Sequence, residues 1–228
     1  MSAVPDAPVP HILIVCTGNI CRSPLAEQLL RARLLAAGVD ATVSSAGTQA
    51  MVGGAMTAEA EAEARQLGSV STEHAPRQLN TKMLAEADLV LTATRDHRRD
   101  AVTLFPRATR YTFTLNQFAR LVTAAAAEAA AEAAAADPAA ADPAAAADPA
   151  IPQPQPFSAD PPAASAFAAF VAAIATTRGL QPSPTPPTLD DVEDPYRRSA
   201  TVYAQVAAVI DGSVTAVAAA IATAVAPR

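Results

Sequence analysis

The apolar pattern begins with a short continuous run, His11-Ile12-Leu13-Ile14-Val15, which is how a strand buried on both faces reads. From Pro24 the period changes, and Leu25, Leu29, Ala32 and Ala36 recur at spacings of four, three and four. That spacing predicts a helix with one buried face, and Gly38 marks its end. Residues 41–46 predict a second strand, with Gly47 in the turn after it. Thr57 has a hydroxyl suited to capping a helix that runs to Leu67-Gly68, and Glu59, Glu61 and Glu63 complement the positive end of its dipole. Residues 88–93 and 109–115 predict a third and a fourth strand. Strands alternating with helices predict an α/β architecture, a doubly wound four-stranded parallel sheet with helices on both faces. Ligands in such sheets sit outside the carboxyl ends of the strands, so a site is expected at the turn after the first strand.

Beyond residue 123 the periodicity gives way to compositional bias. Residues 124–188 are dominated by alanine and proline and contain Asp137-Pro138, Asp142-Pro143 and Asp148-Pro149. Alanine and glutamate are strong helix formers, so 121–136 can continue a helix from Asn116. The prolines that follow forbid one continuous helix. Residues 163–177, with Phe167, Phe170, Val171 and Ile174, predict a short helix, while 151–162 and 181–187 read as extended linkers. We therefore expect 124–188 to be a low-complexity, partly helical insertion. Loop closure costs only about 0.6 kcal/mol more per doubling of length, so a domain can carry such a segment. Regular structure resumes after an acidic stretch at 190–196, where Val202, Val206, Val209, Val217 and Ile221 mark one face of a closing helix. The expected organisation is a tail at 1–10, a domain built from 11–123 and 189–224, and the insertion between.

Composition narrows the function classes. The 228 residues carry a formal charge of −6, which disfavours nucleic acid as a partner because a phosphate backbone needs a basic face. The 51% of hydrophobic residues overstates the core, since most are alanine and there is no tryptophan. Residues 1–10 hold three prolines and an acid rather than a basic-then-apolar leader. The segment 213–226 reads as too short and too weakly apolar to cross a bilayer. A cytoplasmic protein with no membrane association is expected. Cys16 and Cys21 are the two cysteines, which excludes a disulfide framework and a cysteine zinc site.

Those two cysteines lie in Cys16-Thr17-Gly18-Asn19-Ile20-Cys21-Arg22-Ser23-Pro24. Successive backbone N–H groups in such a turn, with the N-terminus of the following helix, form a concave site for three phosphate oxygens. Gly18 and Asn19 are residue types that tolerate a left-handed backbone. Arg22 can grip two phosphate oxygens with its planar fork. Cys16 then lies at the base of the bowl, aimed at phosphorus, in a positive field that favours the nucleophilic thiolate. The competing reading is a buried structural cysteine beside a surface arginine; a strand before, Ser-Pro after and a helix following weigh against it. Cys21 reads either as loop packing or as a resolving thiol that could capture oxidised Cys16.

From Val15 through Pro24 the chain resembles the low-molecular-weight protein tyrosine phosphatases, whose loop reads V-C-x-G-N-x-C-R-S-P, without a gap. The resemblance implies a flavodoxin-like fold and hydrolysis of phosphotyrosine through a cysteinyl-phosphate intermediate, with no metal or cofactor. It makes Cys16 the nucleophile, Arg22 the phosphate clamp, Asn19 the residue that holds the shape of the 17–21 loop, and Ser23 the hydroxyl donor to the sulfur. In the family an Asp-Pro-Tyr or Asp-Pro-Phe loop comes just before the last helix. That singles out Asp194-Pro195-Tyr196 among five Asp-Pro pairs, with Asp194 as general acid and Tyr196 as a pocket wall. Ser45 matches a serine that hydrogen-bonds the loop asparagine, and His74 a histidine near it. Gln49-Ala50 departs from the family, near where many relatives carry a second aromatic wall. The implied partners are phosphotyrosine proteins, and residues 44–97 with Asp-Pro-Tyr-Arg-Arg-Ser are most similar to bacterial relatives that counter a tyrosine kinase. Arsenate reductases and protein arginine phosphatases are alternatives on the same fold. The first generally have further redox cysteines and Ser-Gln after the loop, and the second a threonine where this chain has Ile20.

Overall fold

The computed structural model describes residues 9–69, 73–135 and 163–226. Among them, four parallel strands form one sheet in the order β2-β1-β3-β4. Strand β1 (His11–Cys16) is central, pairing with β2 (Thr42–Gly47) on one side and β3 (Leu89–Thr92) on the other, and β4 (Thr112–Thr114) continues beyond β3. In this register Ile14 lies between Ser45 and Leu91, and Cys16 faces Gly47. The continuous apolar run of β1 serves two cores. Ile12, Ile14 and Cys16 point into a large cluster with Leu29, Phe113 and Ile210, whereas Leu13 and Val15 point into a smaller one with Leu84, Val90 and Ala101.

Helix α1 (Arg22–Ala36) begins two residues before Pro24. Proline is tolerated there because the first-turn N–H groups have no partner within the helix. The buried face of α1 includes Leu25, Ala26, Leu29, Leu30 and Leu34, while Ala36, expected on it, is exposed. Helix α2 (Ala58–Gln66) is capped as the sequence indicates, by the Thr57 hydroxyl accepting from the Ala60 N–H. Two short helices escape the periodicity: α3 (Thr81–Glu86), capped by Asn80, and α4 (Arg95–Leu104), capped by Thr94. Helix α4 buries only His97 and Ala101, one turn apart, which is too few positions to register as a pattern.

The fourth strand is shorter than the expected 109–115. Pro106–Arg110 coils into a 3₁₀ turn, and the hydroxyls of Thr109 and Thr112 donate to the carbonyls of Pro106 and Ala108. These local bonds compete with a ladder, leaving three residues of strand before α5 (Leu115–Ala135).

Among the described residues of 124–188, the helix expected at 163–177 is part of the domain core rather than a spacer outside it. Helix α6 (Ala163–Thr177) buries Phe167, Val171 and Ile174 in the same cluster as Ile12 and Leu29. The rings of Phe113, Phe118, Phe170 and Phe167 continue one another, with successive centroids 4.9, 6.1 and 6.5 Å apart. Most of the tail at 1–10, the expected linker at 151–162 and the three Asp-Pro pairs at 137–149 lie outside the described residues.

Helix α7 (Ala200–Val225) packs against α1, α2, α5 and α6. Its buried face includes Tyr203, Val206, Ile210, Val214, Val217 and Ile221, and Val209, expected on that face, is exposed. With 26 residues, α7 is long and apolar enough to cross a membrane by length and composition, unlike the shorter 213–226 segment read from the sequence. Its apolar stripe is inside the core.

Candidate active site

The site lies at the carboxyl end of β1, where the chain winds first to β2 on one side and later to β3 on the other, the usual place for a ligand in a doubly wound sheet. Cys16 ends β1, and residues 17–21 turn into α1. The left-handed residue is Asn19, with φ +54°, and Gly18 is not left-handed. Glycine at 18 answers close packing, since a Cβ there would lie 3.3 Å from Ile20 Cγ1. Gly47 is constrained more tightly: a Cβ would stand 2.3 Å from the carbonyl oxygen of Thr17, so only glycine lets β2 lie against the loop.

Asn19 is fully buried and organises the loop. Its Oδ1 accepts from the Arg77 N–H at 2.8 Å, which fixes the amide orientation. Its Nδ2 therefore donates, to Ser23 Oγ and to Ser45 Oγ, each at 2.8 Å. Ser45 Oγ in turn donates to Glu27 Oε2 at 2.5 Å. Because Ser23 Oγ accepts from Asn19, its own proton is free to point at Cys16 Sγ, 3.0 Å away. His74 Nε2 lies 2.7 Å from the Asn19 carbonyl oxygen, which can only accept, so His74 donates there. Ser45 and His74 thus meet on Asn19, and Asn19 acts on the sulfur through Ser23.

Arg22, in the first turn of α1, is 5% exposed. Its Nη1 donates to the Val192 carbonyl at 3.1 Å, and its Nη2 pairs with Asp194 at 2.9 Å and donates to Thr17 Oγ1 at 3.4 Å. Asp194 is half exposed, and its other oxygen accepts from the Tyr196 N–H at 3.2 Å. The two ends of the chain's chemistry, 172 positions apart in sequence, are in contact. A cavity of about 150 Å³ has Cys16 and the loop for its floor and Gln49, Met51, Asp194 and Tyr196 at its rim. Cys21 also borders this cavity, with its thiol 3.5 Å from both Thr57 Oγ1 and Tyr203 Oη. Burial pushes its pKa up.

Residues 11–141, more than half of the chain, match the model of the low molecular weight phosphotyrosine protein phosphatase family. The chain belongs to that family. It is 33% identical to a low molecular weight protein-tyrosine-phosphatase of Acinetobacter johnsonii over 108 residues, 47% of this chain and 73% of that one. It is 36% identical to a protein-arginine-phosphatase of Bacillus subtilis over 107 residues, 47% of this chain and 71% of that one. The crystal structure of the Erwinia amylovora tyrosine phosphatase AmsI matches with a TM-score of 0.56 at 21% identity, covering 93% of each chain; this likeness shows the fold.

In this member of the low molecular weight phosphotyrosine protein phosphatase family, the site has parts that sequence reasoning did not find. His97 is buried, with Nε2 2.8 Å from Thr17 Oγ1 and Nδ1 2.7 Å from Thr94 Oγ1. Burial first, and the Arg22 charge second, lower its pKa to about 4. It sits in the charged run Arg95-Asp96-His97-Arg98-Arg99-Asp100, where nothing distinguishes it except its place three residues after a capping threonine. Glu27 and Arg77 brace Ser45, the first at the side chain and the second at the carbonyl. Met51 lines the rim beside Gln49, near the position where many relatives carry an aromatic wall. Residues 48–57 are tied to the loop by four backbone bonds of 2.9–3.0 Å, onto the carbonyls of Cys16, Thr17, Gly18 and Ile20.

Proposed function

We propose that this chain hydrolyses phosphotyrosine in proteins through a phosphocysteine at Cys16. The observation that carries the reading is the hydrogen-bond network centred on Asn19, whose amide donates to Ser45, itself a donor to Glu27, and to Ser23, which leaves the Ser23 hydroxyl proton to point at the Cys16 sulfur. It stabilises a thiolate both before attack and when sulfur departs. The phosphate oxygens take the backbone N–H groups of 17–21 and the Arg22 fork, displacing Asp194 from that guanidinium. Asp194 is then free at the mouth. Sγ attacks phosphorus as the ester oxygen leaves, and protonated Asp194 gives that oxygen its proton. In the second step Asp194 takes a proton from water, the water oxygen attacks phosphorus, and the S–P bond breaks to release phosphate. Such general acid and base help is commonly worth about 10²–10⁴-fold.

Tyr196 and Met51 at the rim suit a flat ring, and aromatic pairs contribute about 0.5–1.5 kcal/mol beyond burial. Ile20, which borders the pocket, presents an apolar branch that does not solvate a guanidinium. The substrates on this reading are phosphotyrosine proteins, a bacterial tyrosine kinase among them, in the cytoplasm. The test is catalytic efficiency on peptides matched except for phosphotyrosine, phosphoserine, phosphothreonine or phosphoarginine. Phosphotyrosine should be fastest; faster phosphoarginine turnover would reassign the substrate to the arginine class.

A further inference from the structure

Across Thr48 and Gln49 from the active-site pocket lies a second cavity, of about 280 Å³. Gln49 borders both cavities, so a peptide whose phosphorylated residue fills the first has a neighbouring side chain within reach of the second. The second cavity is built from Gln78 and Leu79 on one side and from Asp100 and Leu104 of α4 on the other. Asp100 and Leu104 are one helical turn apart and share a face.

Its polar groups are not equally available. The Gln78 amide is committed to the loop, donating to the Thr48 carbonyl and accepting from the Ala50 N–H, both at 2.9 Å. The Asp100 carboxylate is half exposed, and the cation beside it, Arg99, stands 3.9 Å away and is held by Asp96 at 2.8 Å. Leu104 is 43% exposed. A carboxylate beside exposed aliphatic surface suits a side chain with an apolar stem and a cationic head, which describes lysine and arginine.

We propose that this cavity is a substrate subsite that takes a lysine or arginine close in sequence to the phosphotyrosine, with Asp100 as the residue that selects it. The inference rests on the phosphotyrosine reading of the first pocket. Because Asp100 is half exposed, the preference should be modest, about two- to fivefold, and should shrink as salt rises.

The experiment measures kcat/KM for phosphotyrosine peptides carrying arginine, alanine or glutamate in turn at each of the three positions on either side. The readout is the arginine-to-alanine ratio within each protein, so that a general loss of activity cancels. The wild type should favour arginine at one position. Asp100→Asn should bring that ratio to about one, and Asp100→Lys should shift the preference to glutamate. A ratio near one at every position in the wild type, or a preference unchanged in Asp100→Asn, would overturn the subsite while leaving the phosphatase reading intact. Failure to hydrolyse p-nitrophenyl phosphate, which has no flanking residue, would overturn both.

Discussion

Replacing Asn19 separates two contributions that the wild-type loop combines. The residue sits at φ +54°, where an L side chain other than asparagine or aspartate costs about 1–2 kcal/mol. It also accepts from the Arg77 N–H and donates to two hydroxyls, all in a fully buried position. Leaving that N–H buried and unpaired costs about 1–3 kcal/mol. Asn19→Ala incurs both losses, so it should destabilise the protein by about 2–5 kcal/mol. Asn19→Gly incurs only the second, plus about 0.5–1 kcal/mol of extra chain entropy, and should remain about 1 kcal/mol more stable than the alanine variant. Urea unfolding with unchanged slopes measures the difference. In both variants Ser23 Oγ loses the donor that turns its proton toward Cys16, so alkylation of Cys16 by iodoacetate at fixed pH should slow by a similar factor. Alanine as stable as glycine would show that the left-handed backbone is not what selects Asn19. Wild-type alkylation rates would show that the hydrogen-bond chain does not reach the sulfur.

Asp194→Asn should slow the burst of phosphoryl transfer to Cys16 by about 10²–10⁴-fold for aryl phosphates with poor leaving groups and far less for good ones, since those need no proton; a burst rate lowered equally for all leaving groups would remove Asp194 as the acid. His97 binds its proton with a pKa of about 4 when folded, against 6.5 for the free side chain. Between those values the unfolded chain holds more protons, so stability falls as pH drops from 6.5 to 4, by up to about 3 kcal/mol. His97→Gln should flatten that limb of the stability–pH curve, and an unchanged limb would assign it to other groups. Phe167→Ala, in a side chain with no exposed surface, should cost about 3–5 kcal/mol while leaving turnover per folded molecule at low temperature intact. A loss below about 1 kcal/mol would mean that α6 is not part of the core.

What was legible in the sequence was whatever rests on a local rule. The β1 run, the turn from Cys16 into α1 and the Thr57 cap each follow from a few adjacent residues; the structure has the strand and the cap as expected, while in the turn the left-handed backbone falls on Asn19 and not on Gly18. Helix α6 was read as a helix but not as core, because three apolar positions in an alanine-rich stretch do not reveal what they pack against. Helix α4 leaves no pattern in the sequence because His97 and Ala101 are its only buried residues. The position of Asp194 on Arg22 depends on the chain returning after a long detour, which no spacing rule supplies; only the resemblance selected it among five Asp-Pro pairs. The second cavity depends on α4 and was invisible for the same reason that α4 was.

The most direct test of the account is to trap the intermediate. Asp194→Asn should still accept phosphate from p-nitrophenyl phosphate but hydrolyse the phosphoenzyme slowly, because the water has lost its base. Rapid quenching followed by peptide mapping should then find close to one phosphate per enzyme, on Cys16, with a burst of nitrophenol of matching size. No phosphate on Cys16, or full turnover by Cys16→Ser, would contradict the phosphocysteine mechanism.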